Sequence, residues 1–149
     1  MHSLKFASLS LLALALTVGA AAQGFKVYPG AAKYTPPDTE ETREAAKALP
    51  PGTTSTIYTT NDSFEKVAAF YKGFAKEYHM PGMRGGGKLP SGQELKATYL
   101  IFDGAADIVA SKSWAKVQHP FVGSIDFKGG MPSYTDIRDI TEIVVTEKK

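Results

Sequence analysis

The chain has 149 residues, no cysteine and a formal net charge of +2, from 17 basic and 15 acidic residues. This length suits one domain with a single hydrophobic core, and the lack of cysteine excludes disulfide bonds and thiol nucleophiles. The basic residues are scattered and include only three arginines, Arg43, Arg84 and Arg138. Because nucleic acids are bound by concentrated basic patches, we expect no nucleic-acid partner.

The first 22 residues have the pattern of a secretory signal peptide. Lys5 precedes an apolar run over residues 9–18, and small residues follow up to Ala22. A basic start, a short apolar core and small residues at the cleavage position are typical of such a signal. The run is too short to span a bilayer core of about 30 Å. The sequence therefore predicts a periplasmic or secreted protein with no membrane anchor, whose single mature domain covers residues 23–149.

The first part of the mature chain predicts three short elements. Residues 25–30 alternate apolar and polar side chains and end in Pro-Gly, which indicates an extended segment closed by a turn. A peripheral helix is predicted from a cap at Asp38 or Thr39 to about Leu49, because glutamates occupy its first turn and alanine supplies most of its apolar content. Residues 53–60 alternate and are rich in β-branched side chains, which predicts a half-buried strand.

The strongest pattern predicts a long amphipathic helix over residues 62–79. Asp62 is placed to cap this helix, and Glu65 follows three residues later, as in a capping box. Apolar side chains recur at helical spacing on one face, and two further aromatic residues widen it. These residues are Phe64, Val67, Ala68, Tyr71, Ala75 and Tyr78, with Phe70 and Phe74. Such a wide aromatic face predicts packing against a sheet.

The remainder of the chain predicts a loop and three strands. Glycine and proline dominate residues 80–93, which indicates a mobile surface loop. Asp103 and Gly104 predict a tight hairpin, and residues 105–112 fit either a helical turn or a strand. Strands are predicted over residues 95–102, 113–119 and 139–146. The expected fold class is α+β, a mostly antiparallel sheet with one long amphipathic helix packed on one face and a short peripheral helix.

Four motifs resemble a group of small exported bacterial proteins of unknown function. They are YPGA at residues 28–31, TNDSFEKVAAFYK at 60–72, MPG at 80–82 and VQHP at 117–120. The resemblance covers most of the mature chain, and its motifs are turns, a capped helix and a strand. It implies an exported location and a fold of this kind, and it implies no catalytic residue.

One glycine-rich motif has the spacing of a phosphate-binding loop. Residues 82–88 match GxxxxGK, with Lys88 as the lysine that would contact phosphate. However, Leu89 replaces the Ser or Thr that would hold Mg²⁺, and the run follows a predicted helix instead of a strand. We therefore interpret the motif as a flexible loop, and we expect no nucleotide or other cofactor.

The sequence assigns no catalytic, cofactor or metal residue, and it leaves ligand-binding residues open. His79 and His119 are the only histidines of the mature chain, and no HExxH or clustered carboxylates accompany them. We expect His79 at the C-terminal end of the long helix and His119 at a strand end. GxSxG is absent. A carboxylate pair remains an alternative, with candidates Asp103, Asp107, Asp126, Asp136 and Asp139.

Two functional hypotheses follow. The first is a non-enzymatic exported binding or interaction module, for an envelope protein or a small apolar ligand. Six aromatic residues could line its pocket, although core packing explains them more readily: Tyr58, Tyr71, Tyr78, Tyr99, Phe102 and Trp114. The alternative is a small envelope hydrolase that uses Asp and His residues near the glycine-rich loop. That hypothesis requires both histidines and at least two aspartates to converge in one concave site.

Overall fold

A computed structural model describes residues 24–82, 86–126 and 128–149, so the predicted signal peptide lies outside these residues. Within them the chain is mostly β, with 43% strand and 16% helix. The expected α+β class with a long helix is therefore wrong. The described elements are β1 Ala32–Tyr34, α1 Glu40–Lys47, β2 Thr53–Thr60, α2 Phe64–Lys72, β3 Lys76–Tyr78, β4 Gly86–Lys88, β5 Glu94–Ile101, β6 Ser113–His119, β7 Phe121–Asp126, β8 Ser133–Arg138 and β9 Thr141–Lys148.

Seven strands form one main sheet in the order β1-β2-β9-β6-β5-β3, with β4 also paired to β5. Every described pairing is antiparallel. The central position belongs to β9, which pairs along its whole length with β2 and over six residues with β6. Strands β7 and β8 form a separate hairpin. No helix among the described residues is both long and apolar enough to cross a bilayer.

The long amphipathic helix is the main error of the sequence prediction. Helix α2 has nine residues, begins after the N-cap Ser63 and ends at Lys72, with Gly73 as its C-cap. Beyond it, residues predicted as helix form β3 and pair with β5. Gly73 has a low helix propensity, and apolar positions such as Tyr78 fit a strand as well as a helix. Pairing with the edge of β5 therefore makes residues 76–78 a strand and not a continuation of the helix.

Several other predicted boundaries differ from the structure. The predicted loop 80–93 contains β4, and β7 and β8 were not predicted at all. Strand β1 lies just after the predicted extended segment 25–30, which forms no strand. The tight hairpin at Asp103-Gly104 is also wrong, because β6 begins only at Ser113. In contrast, the predictions for β2 and β6 and for a short α1 capped by Thr39 are confirmed.

The connection between β5 and β6 is held by the side chain of Asp103. Its carboxylate accepts hydrogen bonds from the Ser111 hydroxyl at 2.9 Å and from the Lys112 backbone N–H at 2.6 Å. Burial acts to raise the pKa of Asp103, but these bonds and one from the Ala105 N–H outweigh it and lower the pKa below its usual value. A carboxylate that stays ionised can thus fix a long connection without regular structure.

The hydrophobic core lies between α2 and one face of the main sheet. Tyr71 is fully buried in α2, and its hydroxyl donates to the Lys26 carbonyl oxygen at 2.9 Å. Its ring lies within 5.8 Å of the ring centroids of Phe25, Phe74 and Phe102. Of the six aromatic candidates, Tyr71 and Phe102 are buried in this core and Tyr58 packs against it. Large aromatic side chains make it the main source of apolar burial.

Candidate functional site

The strand register separates the main sheet into two faces of different character. Residues directly opposite in antiparallel strands point to the same face. The covered face, beneath α2, includes Leu100, Ala115, Val117 and Ile143, which are fully buried. The open face is the opposite one. One row across it runs from β3 to β2 and consists of Tyr78, Tyr99, Lys116, Val144 and Ile57, all only half-buried.

A cavity of about 460 Å³ lies at the edge of the sheet, around β5 and between β3 and β4. We call it the edge pocket. The open face contributes Tyr78, Tyr99, Lys116 and Gln118, and the covered face contributes Phe64, Lys72, Glu77, Lys96 and Thr98. His79, Met80, Gly86, Glu94, Leu95 and Ala97 complete the lining. The pocket therefore combines aromatic and apolar side chains with polar groups, more of them than a typical small-molecule site has.

Gly86 defines one wall of the edge pocket by its close approach to β5. Its φ is 151°, and a Cβ at this position would lie 2.0 Å from the Leu95 carbonyl oxygen. Only glycine can adopt this conformation at such a distance. The adjacent Gly87 meets nothing within 4 Å. The first glycine of β4 is thus required by the pairing that forms the pocket wall.

Glu77 is the best-partnered carboxylate of the pocket. One carboxylate oxygen lies 3.0 Å from the Lys72 ammonium. The other accepts a hydrogen bond from the Thr98 hydroxyl at 2.9 Å. Burial acts to raise the pKa of Glu77, but the ion pair with Lys72 and the hydrogen bond from Thr98 lower it below its usual value. Glu77 is therefore ionised at neutral pH, and its charge is compensated from within the protein.

A second polar group lies on the open face. The Lys116 ammonium donates to the Gln118 side-chain oxygen at 2.9 Å and lies 3.7 Å from a Glu142 oxygen. Glu142 is buried at 5% exposure, and this burial raises its pKa despite the nearby ammonium. Lys96, the third lysine of the pocket, is paired with Glu65 of α2. Each lysine of the edge pocket thus has a carboxylate partner.

The two histidines lie apart. His79 lines the edge pocket after β3, and not at a helix end as predicted, because α2 ends seven residues earlier at Lys72. His119 ends β6, as predicted, and its Nε2 lies 3.1 Å from an Asp139 oxygen outside the pocket lining. The structure therefore does not bring the histidines together.

The candidate aspartates are scattered as well. Asp103 and Asp107 lie in the connection between β5 and β6, and Asp126 and Asp136 lie in the β7–β8 hairpin. Asp136 binds Arg138 through both carboxylate oxygens, each at 2.8 Å. None of these residues, nor Asp139, lines the edge pocket. In the described part of the chain, no group of three or more acidic or histidine side chains is placed to hold a metal ion.

The phosphate-loop motif also has a different structural role. Its last residues, Gly86–Lys88, form β4 and pair with Glu94–Lys96 of β5, whereas residues 83–85 lie outside the described part. The prediction of a flexible loop is therefore wrong for this half of the motif. Lys88 lies opposite Glu94 and is exposed.

Sequence reasoning missed Glu77, Lys116, Gln118 and Glu142, because it considered only aspartates and histidines. One signal was present. Lys116 and Gln118 alternate with the apolar residues of β6, and Glu142 interrupts the apolar strand β9.

Comparisons with known proteins add no relative, since the chain matches no family model, no curated protein and no solved structure.

Proposed function

We propose that this protein is a non-enzymatic module that binds a small ligand in the edge pocket. The observation that carries the proposal is the pocket itself, a cavity of about 460 Å³ with aromatic rings and ion-paired side chains in its lining. A volume of this size is within the usual range of small-molecule sites, roughly 300–1,000 Å³. The proposal assigns the binding module expected from the sequence to one defined pocket.

The arrangement of polar groups favours binding over catalysis. A general acid or base needs a proton-transfer group directed at a substrate atom, with a nucleophile or a second acid nearby. Among the pocket residues, Glu77 is held by Lys72 and Thr98, and His79 has none of the five candidate aspartates beside it in the lining. The hydrolase alternative therefore has less support than the binding module.

We also propose that the binding module acts outside the cytoplasm, because residues 1–22 have the pattern of a signal peptide. Mass spectrometry of the protein from an envelope or culture fraction should give an N-terminus at Gln23 or within a few residues of it. A full-length chain that begins at Met1 and stays in the cytoplasm would contradict export. It would leave the proposed ligand site unaffected.

Ligand binding can be tested by NMR with a library of small fragments. Titration into the ¹⁵N-labelled mature chain should shift the amide signals of pocket residues, in particular Tyr99, Lys116 and Gln118. The variant Lys116→Met should weaken the binding of fragments that contact the open face, because it removes the ammonium on that side of the pocket. The matched variant Lys112→Met changes an exposed lysine outside the lining and should have no effect. Saturable shifts that cluster elsewhere, for instance at α1, would refute the edge pocket as the site.

A further inference from the structure

The three lysines of the edge pocket are each paired with a carboxylate of the protein. Lys72 pairs with Glu77 at 3.0 Å, Lys96 pairs with Glu65, and Lys116 lies 3.7 Å from Glu142. An anionic ligand would have to compete with these carboxylates for the lysines, and a cationic ligand would have to displace the lysines. Exchange at Lys116 would leave the buried Glu142 carboxylate without its partner, at a large cost in free energy, whereas the two more exposed pairs add no more than about 1 kcal/mol each. The pocket therefore favours a ligand without net charge.

A purely apolar ligand does not fit this lining either. It would cover His79 and those ammonium N–H groups of Lys72, Lys96 and Lys116 that are not engaged by their carboxylates, and it would exclude water from them without offering hydrogen bonds in return. An unsatisfied buried polar group costs about 1–3 kcal/mol. The small apolar ligand expected from the sequence is thus disfavoured, and a neutral ligand rich in hydrogen-bonding groups is favoured.

The open face also offers aromatic rings to such a ligand. Tyr78 and Tyr99 lie directly opposite each other on β3 and β5, so their side chains share the open face. Both are half-buried and line the pocket. Burial raises the pKa of the Tyr99 hydroxyl, which therefore remains a hydrogen-bond donor. A tyrosine presents an apolar ring and a polar tip together.

We propose that the edge pocket binds a short neutral saccharide, an inference that rests on the proposed function. A pyranose ring carries no charge, has hydroxyl groups that both donate and accept, and has an apolar C–H face that packs on an aromatic ring. Tyr78 and Tyr99 provide the rings. Lys116 provides hydrogen-bond donors on the same face of the sheet, because its ammonium has three N–H groups and one of them is used by Gln118.

The test is an NMR titration of the ¹⁵N-labelled mature chain with three neutral saccharides, namely cellobiose, maltotriose and N,N′-diacetylchitobiose. Citrate and spermidine serve as charged probes at the same concentrations. We expect at least one saccharide to give saturable shifts at Tyr78, Ala97, Tyr99 and Gln118, and neither charged probe to do so. Failure of all three saccharides to shift these amides overturns the saccharide proposal.

Variants of the tyrosines test the role of the rings. Tyr99→Leu and Tyr78→Leu should each weaken saccharide binding about three- to tenfold, the range expected from one aromatic contact. Tyr99→Phe keeps the ring and should retain most of the affinity. Tyr134→Leu, in the β7–β8 hairpin outside the pocket lining, is the matched control. Two pocket variants are used so that a loss of folding in one does not decide the result. Unchanged affinity in both leucine variants would contradict the role of the rings.

The two proposals can fail separately. If citrate, spermidine or library fragments saturate the pocket amides and no saccharide does, the saccharide proposal is wrong and the binding function stands. If neither the library nor any probe shifts these amides, both proposals are wrong.

Discussion

The covered and open faces are built from alternate residues of the same strands, yet they differ in nearly every physical property. Ala115 and Val117 of β6 are fully buried beneath α2, whereas Lys116 between them is half-exposed and belongs to the edge pocket. The covered face is close-packed and provides apolar burial. The open face carries Tyr78, Tyr99, Lys116, Gln118 and Glu142. Alternate residues of one strand thus face a close-packed core on one side and a polar, half-buried surface on the other, and we expect that each side can be changed with limited effect on the other.

The strongest test of this difference between the faces is to remove one large ring from each of them. Tyr71→Ala, on the covered side, should lower the free energy of unfolding by about 3–5 kcal/mol, because it leaves a cavity where a fully buried ring packed. Tyr99→Ala should cost less, since Tyr99 is only partly buried. Urea unfolding of both variants measures the difference. Equal losses would mean that the open face belongs to the core.

The boundary between the faces can be tested at the edge of the sheet. Gly86→Ala should separate β4 from β5 and lower the free energy of unfolding by about 1–3 kcal/mol, because its Cβ cannot fit beside the Leu95 carbonyl. Amide hydrogen exchange should become faster in Glu94–Lys96. Gly87→Ala is the matched control, because its Cβ meets nothing within 4 Å. If both variants keep wild-type exchange rates, Gly86 does not hold the pocket wall.

A smaller effect distinguishes the hydroxyl groups of the two tyrosines. Tyr71→Phe should cost about 1 kcal/mol, because the hydrogen bond from the Tyr71 hydroxyl to the Lys26 carbonyl oxygen, made at 2.9 Å, is lost. Tyr99→Phe should change stability by less than about 0.5 kcal/mol. Thermal and urea unfolding provide the measurement. A larger loss for Tyr99→Phe than for Tyr71→Phe would show a structural hydrogen bond on the open face.

The smallest expected change in the free energy of unfolding concerns Glu142, and there the substitution stabilises the protein. Burial raises its pKa, so the folded state holds this proton more tightly than the unfolded chain. The stability contributed by the proton is fully present below the ordinary glutamate pKa and is lost as pH rises through the raised pKa. Glu142→Gln should equal wild type in acid and exceed its stability at neutral and higher pH. Urea unfolding over a pH series checks this.

A variant that is less stable than wild type at neutral pH would reverse the interpretation of Glu142. It would mean that attraction between the Glu142 carboxylate and Lys116, 3.7 Å apart, outweighs the desolvation of that carboxylate.

The sequence predicted those elements whose pattern is local and uninterrupted. Strand β2 alternates over eight residues and was predicted with its observed bounds. Helix α2 was predicted too long, because Ala75 and Tyr78 continue the helical spacing although Gly73 ends the helix. The strands β7 and β8 contain glycine, aspartate and serine, which have low β-propensity. Their pairing with each other compensates for this, and pairing is not visible in local composition.

The candidate site was harder to predict than the fold. Its residues come mainly from α2, β3, β4, β5 and β6, and they meet only because β5 pairs with β3, β4 and β6. No short motif contains them. The motif that did have functional spacing, at residues 82–88, proved to end in an edge strand. Spacing along the chain indicates chemistry only where one local element holds all the groups, and that condition does not apply here.

The position of β9 has a consequence for how this protein is made. It is the last described strand along the chain, and it is the only described link between β2 on one side and β6 on the other. The two parts of the sheet therefore cannot join until residues 141–148 have left the ribosome. Until then the covered face lacks Ile143 and Val145, two residues of its core. The covered face therefore becomes complete only with the last described strand of the chain.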